Sequence, residues 1–208
     1  LASPKKEIYD KSVATLSGEL GRCRQLDIPY LVTHLGHHLG DGIAGGRKRV
    51  IAAINTALLA TAGSDVVLLL ENTAGEKNSV GSSIEHIRSI YEGIEDKKRI
   101  GLCFDTCHAF AAGYDLRTEA GIADTLHQLD EAIGLSKIRL IHLNDAKGEL
   151  GSGLDRHEHI GMGTIGRAGF SRILHRREIR DLPLVCETPV DERRNDVDNI
   201  RAVRELAE

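Results

Sequence analysis

Two hydrophobic periods alternate along this chain, and the alternation predicts an architecture before any single residue does. Val13, Leu16, Leu20 and Cys23 recur at helical spacing. Ser3 and Pro4 stand ahead of them as a cap and a first-turn proline, so a helix is predicted from Ser3 until Asp27-Ile28-Pro29 ends it. Residues 30–33 read as a short strand finishing at His34, and a glycine-rich loop over 36–46 carries His37, His38 and Asp41. Val50, Ile51, Ile54, Ala57, Leu58 and Thr61 mark the inner face of a helix over 47–62, stopped by Gly63.

Residues 66–70 are apolar at every position, the pattern of a strand covered on both faces of a parallel sheet. Ser82-x-x-Glu85 reads as a capping box opening a helix to about residue 92. Strands are predicted at 100–104 and 138–141, separated by a helix over 118–133 that Gly134 closes. A short helix over 168–177, a strand over 182–186 and a helix over 196–207 follow, the last with Ile200, Val203 and Leu206 turned inward.

Each of the five strands ends in a residue able to bind a metal: His34, Glu71, Asp105, His142 and Glu187. Strict alternation of strand and helix means a parallel sheet, either an open doubly wound one or a closed barrel. In an open sheet, neighbours about 4.8 Å apart leave the outermost of five strands nearly 20 Å apart, too far to share a cluster. In a barrel the strand ends converge on one mouth, so five ligand types at five strand ends favour a TIM-type barrel. A barrel of this class has about eight strands, and this chain supplies five. The expectation is therefore a (β/α)8 fold of which only the last five units are present, with the first three ahead of Leu1. The alternative is an intact flavodoxin-like sheet of five strands.

The segment His142 to Gly166 concentrates the same chemistry, holding His142, Asp145, Asp155, His157, Glu158 and His159. Asp155-x-His157 is a spacing that an extended loop can turn toward one ion. Imidazole and carboxylate together suit zinc, manganese or iron. His108, one short turn after Asp105, adds a further candidate ligand.

Composition narrows the picture. The 208 residues are 41% hydrophobic and 28% charged, which suits one domain over residues 1–208. No run approaches the ~18 apolar residues of a membrane span, and no signal-peptide pattern opens the chain. Cys23, Cys103, Cys107 and Cys186 lack zinc-ribbon or disulfide spacing, so a reducing cytoplasm is expected and Cys103 and Cys107 read as buried small hydrophobes. A net charge of −4 does not advertise nucleic-acid binding unless bound cations supply the positive field.

The segments LVTHLGHHL, LLLENTAG, CFDTCHAFAAGYD, HLNDAKGELGSGLDRHEHIGMGTIG and LVCETP, in that order, resemble endonuclease IV, the metal-dependent apurinic/apyrimidinic endonuclease family of base-excision repair. The resemblance implies a (β/α)8 barrel with three zinc ions, manganese being a possible substitute. By motif, His34 and Glu71 would bind the first zinc. Glu71 would bridge to the second, held also by Asp105, His142 and Glu187, and His108, Asp155 and His157 would hold the third. Glu71 and Glu187 would be the catalytic carboxylates, with Lys147 and Arg156 as candidate phosphate contacts. The implied reaction is hydrolysis of the phosphodiester 5′ to an abasic site in double-stranded DNA, by a protein that is monomeric when full length and needs no membrane.

The sequence departs from the family pattern where a further histidine of the first zinc would precede Leu1, and Leu35 stands where proline is usual; His37 and His38 are not expected to substitute. The chain alone is therefore expected to associate through open sheet edges and to cleave weakly. Two other readings compete: a divalent-metal sugar isomerase or epimerase on a related barrel, and a metal-binding protein impaired in catalysis. The His108–Asp155–His157 set and the absence of tryptophan to stack on a sugar oppose the first.

Overall fold

The structure is a computed structural model describing residues 1–208. Its elements run α1 (Lys6–Gln25), β1 (Tyr30–Thr33), α2 (Ile43–Ala60), β2 (Val67–Glu71), α3 (Ile84–Gly93), β3 (Ile100–Asp105), α4 (Thr106–Ala112), α5 (Glu119–Ile133), β4 (Ile138–His142), β5 (Asp145–Ala146), β6 (His157–Glu158), α6 (Gly166–Leu174), β7 (Leu184–Val185) and α7 (Asp196–Ala207). The main sheet is parallel in the order β1-β2-β3-β4-β7, as the alternation predicted. Thr33 pairs with Leu70, Glu71 with Cys103, and Asp105 with His142, so the strand ends stand side by side.

The sheet is strongly concave. Glu71 on β2 and Glu187 beyond β7 are three strands apart, about 14 Å in a flat sheet, yet their ligand atoms lie within 4.8 Å of each other. β2 and β3 are buried almost throughout, as their unbroken apolar runs require, while β1 and β7 at the two edges are only partly covered. Leu68, Leu70, Leu102, Phe104 and Ile141 join α-helical Val50, Ile54, Ile87 and Leu126 in one core.

Several boundaries differ from the sequence expectation. α1 starts at Lys6 rather than Ser3, because the Ser3 hydroxyl accepts the Lys5 N–H in a separate turn and Arg49 holds the Ala2 carbonyl against α2. α2 starts at Ile43, taking Gly45 and Gly46 into the helix; a Cβ at Gly46 would meet His38 and Val80 at 3.0 Å, so the helix packs closely on both there. Ser83, not Ser82, caps α3 through the His86 N–H, and no capping box forms. α6 runs over Gly166–Leu174, and β7 shrinks to two residues at the sheet edge. α7 turns Asn199, Ala202 and Leu206 inward and leaves Ile200 47% exposed, because the Asn199 side chain is tied to His159 and the Ile160 N–H.

The β5–β6 hairpin, absent from the sequence expectation, is organised by one carboxylate. Asp145 is 0% exposed and accepts N–H groups from Ala146, Gly161, Gly163, Ile165 and Gly166 at 2.8–3.4 Å. Gly163 is required for that approach, since a Cβ would stand 2.6 Å from the Asp145 carboxylate. Removing the acceptor strands these donors, and each buried unsatisfied group costs about 1–3 kcal/mol. Asp145→Ala is therefore expected to lower unfolding free energy by about 3 kcal/mol, read by urea denaturation; a loss below about 1 kcal/mol would show that the loop holds its shape without this carboxylate.

Candidate metal centre

Five strand ends deliver the first residues of the centre: His34 after β1, Glu71 on β2, Asp105 on β3, His142 on β4, and Glu187 two residues beyond β7. Asp105 also caps α4 by accepting the His108 N–H at 2.8 Å, and this one-turn reversal brings His108 back over the sheet. The β5–β6 hairpin returns Asp155 and His157 to the same mouth.

Two buried asparagines lock the strand ends together. Asn72 exchanges two hydrogen bonds with the backbone of Asp105, at 2.8 and 2.9 Å. Asn144 donates to the Asp105 carboxylate at 2.7 Å and to Glu187 Oε2 at 3.4 Å, and its carbonyl accepts the Glu187 N–H at 2.7 Å. Neither was singled out from the sequence, although each directly follows or nearly follows a strand-end ligand type.

The eight candidate ligands form interlocking clusters. Glu71, Asp105, His142 and Glu187 place one ligand atom each within 4.8 Å, as do His108, Asp155 and His157, and also His34, Glu71 and His108. His142 Nδ1 lies 2.9 Å from Glu71 and 3.0 Å from Glu187, His34 Nε2 is 3.1 Å from Glu71, and His108 Nε2 is 3.2 Å from Asp155. His108 appears in two clusters, but its Nδ1 meets the Asn72 carbonyl at 2.9 Å, which leaves Nε2 toward Asp155 as the ligand atom. His157 is oriented likewise, Nδ1 on the Glu187 carbonyl at 3.0 Å and Nε2 buried without a hydrogen-bond partner.

This donor set fits a divalent metal. Glu71 and Asp105 are buried, and the ion-pair partners of all four carboxylates are imidazoles rather than lysine or arginine. Burial pushes Glu71 up, yet hydrogen bonds from His142 and His34 outweigh it and hold the carboxyl at about 2. Burial drives His108 down, but the bond to Asp155 and the charge of Asp105 raise it to about 9; His142, opposed likewise by burial, is pushed up to about 12 by Cys103, Glu187 and Glu71. Asp105 is raised by its complete burial, while Asp155 and Glu187 are lowered by their bonds to His108 and His142. In the metal-free protein protons thus hold this cluster together, and a cation would replace them.

Other sequence candidates lie outside the clusters. Lys147 and Arg156 are exposed and face each other across the hairpin base, Lys147 N–H to Arg156 carbonyl at 3.0 Å. His38 Nδ1 accepts the N–H groups of Gly40 and Gly42, and His37 is exposed beside His34 in a cleft of about 130 Å³. His159 is fully buried between Asp191 and Asn199 and serves the loop rather than the mouth. Cys103 and Cys107 are buried as expected, but each also lies within ligand range of a histidine and a carboxylate.

A concave parallel α/β sheet with metal-ligand types at its strand ends defines the class, and the family model described as xylose isomerase-like TIM barrel matches residues 1–208. A probable endonuclease 4 from Methanoculleus marisnigri is 64% identical over 206 residues, covering 99% of this chain and 73% of the relative. The crystal structure of endonuclease IV from Thermus thermophilus superposes with a TM-score of 0.84 at 35% identity, over 99% of this chain and 71% of that one. The chain belongs to the endonuclease IV family. A D-tagatose 3-epimerase-like protein also superposes, with a TM-score of 0.77 over 99% of this chain and 72% of that one, but at 20% identity it shares the fold alone.

Two outcomes follow from this geometry. Glu71→Gln is expected to remove bound metal while leaving the fold intact, whereas His159→Gln lowers Tm and leaves metal stoichiometry unchanged; equal losses of metal would refute the division. The raised His108 stabilises the metal-free protein fully below its ordinary 6.5, and that contribution is lost as pH rises through about 9. Metal competes with the same protons, so its stabilisation runs the other way. Thermal melts should show Tm falling from pH 6.5 to 9 with chelator present, and the metal-induced gain in Tm growing over that range.

Proposed function

We propose that this chain is a DNA-repair phosphodiesterase that hydrolyses the bond 5′ to abasic sites in double-stranded DNA, with three zinc ions as cofactors. The single observation that carries the reading is the set of four carboxylates and four imidazoles gathered at one mouth with no lysine or arginine among them. His34 and Glu71 would hold one ion, Glu71 with Asp105, His142 and Glu187 a second, and His108, Asp155 and His157 a third. A divalent cation supplies water acidified toward a pKa of about 7 and neutralisation of phosphate charge.

The chain's own residues do the rest. Glu71 touches both His34 and His142, so it would be the carboxylate common to the first two ligand sets. Glu187 is nearly half exposed, with Oε2 held by His142, and presents a carboxylate to solvent that orients water for in-line attack on phosphorus. The P–O3′ bond breaks, and the water's proton ends on the 3′ oxygen, giving a 3′-hydroxyl and a 5′-deoxyribose phosphate. His108, Asp155 and His157 would hold a cation whose charge would offset that of the departing oxygen. Lys147 and Arg156, both free of carboxylate partners at the hairpin base, take phosphates.

Closure of the sheet into a (β/α)8 barrel belongs to the same proposal. It is supported by the 71% coverage of the Thermus structure and by the half-covered edges at β1 and β7. A reducing cytoplasm suits four free cysteines, and no helix is long and apolar enough to cross a membrane.

End-labelled abasic duplex mixed with excess zinc-loaded protein should be nicked 5′ to the lesion, with chelator stopping the reaction and Glu71→Gln slowing it roughly 100-fold or more. Alanine at Lys147 or Arg156 should weaken duplex binding and reduce the salt slope by about one each. Protein that leaves the duplex intact but interconverts free ketoses belongs to the isomerase chemistry of related barrels instead.

A further inference from the structure

Below the strand ends lies a thiol that the hydrolytic reading leaves unused. Cys103 is 0% exposed and sits two residues before Asp105 on β3, so the two side chains share a face. Its register partner on β2 is Glu71; on β4 it is Leu140, and His142 stands two residues further along the same face. Glu71, Cys103 and His142, all buried, each offer one ligand atom within 4.8 Å of the others. Zinc–sulfur and zinc–nitrogen bonds of about 2.3 and 2.1 Å in a tetrahedral site set ligand atoms about 3.6 Å apart, so closure on an ion of that size needs shifts of up to about 1 Å, and a larger cation needs less.

The three atoms differ in kind from the rest of the mouth. Carboxylate and imidazole suit zinc and manganese, whereas a thiolate adds selectivity for soft cations. Cys107 also lies near Asp105 and His157, but its sulfur is engaged with the Arg156 carbonyl at 3.7 Å on a different element, α4. Cys186 and Cys23 belong to no such cluster.

We propose that Glu71, Cys103 and His142 form a tripod for a thiophilic divalent cation of the cadmium and mercury class. Binding replaces the S–H bond by a sulfur–metal bond, the proton passing to water, with no change of oxidation state. Because Glu71 and His142 also serve the harder metal, the two cations exclude one another, and the soft cation is a poison built on the mouth's own ligands. The tripod itself rests on the cluster geometry, and the exclusion of the harder metal rests on the ligand set proposed above.

Cadmium titrated into metal-free protein is the test, read by the ultraviolet sulfur-to-cadmium charge-transfer band. The band should saturate at one equivalent, vanish in Cys103→Ser, persist in Cys107→Ser, and grow in zinc-loaded protein only as zinc appears on a colorimetric chelator. Cys103→Ser should still take up zinc to the wild-type stoichiometry. Cadmium NMR on the wild-type protein keeps the idea testable if the serine variant misfolds: the resonance must fall in the range for a single sulfur among nitrogen and oxygen ligands. A band that survives Cys103→Ser, a band lost in Cys107→Ser, a wild-type protein with no band, or a resonance without sulfur would each overturn the assignment.

Discussion

Buried negative charge at the mouth is the constraint on which the rest of this structure depends. Glu71 and Asp105 are withdrawn from water, Asp155 and Glu187 stand beside them, and no arginine or lysine reaches any of the four. An isolated buried carboxylate costs several kcal/mol unless paired and hydrogen-bonded. Here the pairing is delegated to imidazoles: the carboxylates hold His34, His108 and His142 toward the protonated form, and a cation that displaces those protons turns them into ligands. Stability of the mouth and affinity for metal are therefore two states of one charge balance.

Holding that balance takes a frame stiffer than the ligands themselves. Neutral amides supply it: Asn72 ties the end of β2 to β3, and Asn144 ties β4 to both Asp105 and the segment beyond β7. Neutral donors orient carboxylates without competing for their charge, which a lysine in the same place would do. Asp145 plays the opposite part, committing its whole carboxylate to backbone N–H groups so that the hairpin can present Asp155 and His157. Acidic residues of similar sequence appearance thus end in different roles, set by what surrounds them.

The same logic separates the chemistry of the mouth from its fold. A sheet this concave brings residues three strands apart within 4.8 Å, and a D-tagatose 3-epimerase-like protein at 20% identity shares the fold. Onto that frame the β5–β6 hairpin adds a second corner of ligands beside the strand-end set. Fold supplies the convergence, and the hairpin supplies the specificity of what converges.

Much of this was legible in the sequence because two of its signals are local. Unbroken apolar runs at 67–70 and 100–104 mark strands buried on both faces, and the polar residue closing each run marks its end, so the five strands and their terminal ligand types were readable one at a time. Boundaries failed where a distant partner overrode local preference. Ser3 looked like a cap but lies in a turn pinned to α2, and α7 turned Asn199 rather than Ile200 inward because His159, forty residues away, claims its side chain. The functions of Asn72, Asn144 and Asp145, and the place of Cys103 beside Glu71, were likewise invisible, since each depends on which strands are neighbours and in what register. Residue types and their periods are written along the chain; which of them meet is decided only when the sheet curves.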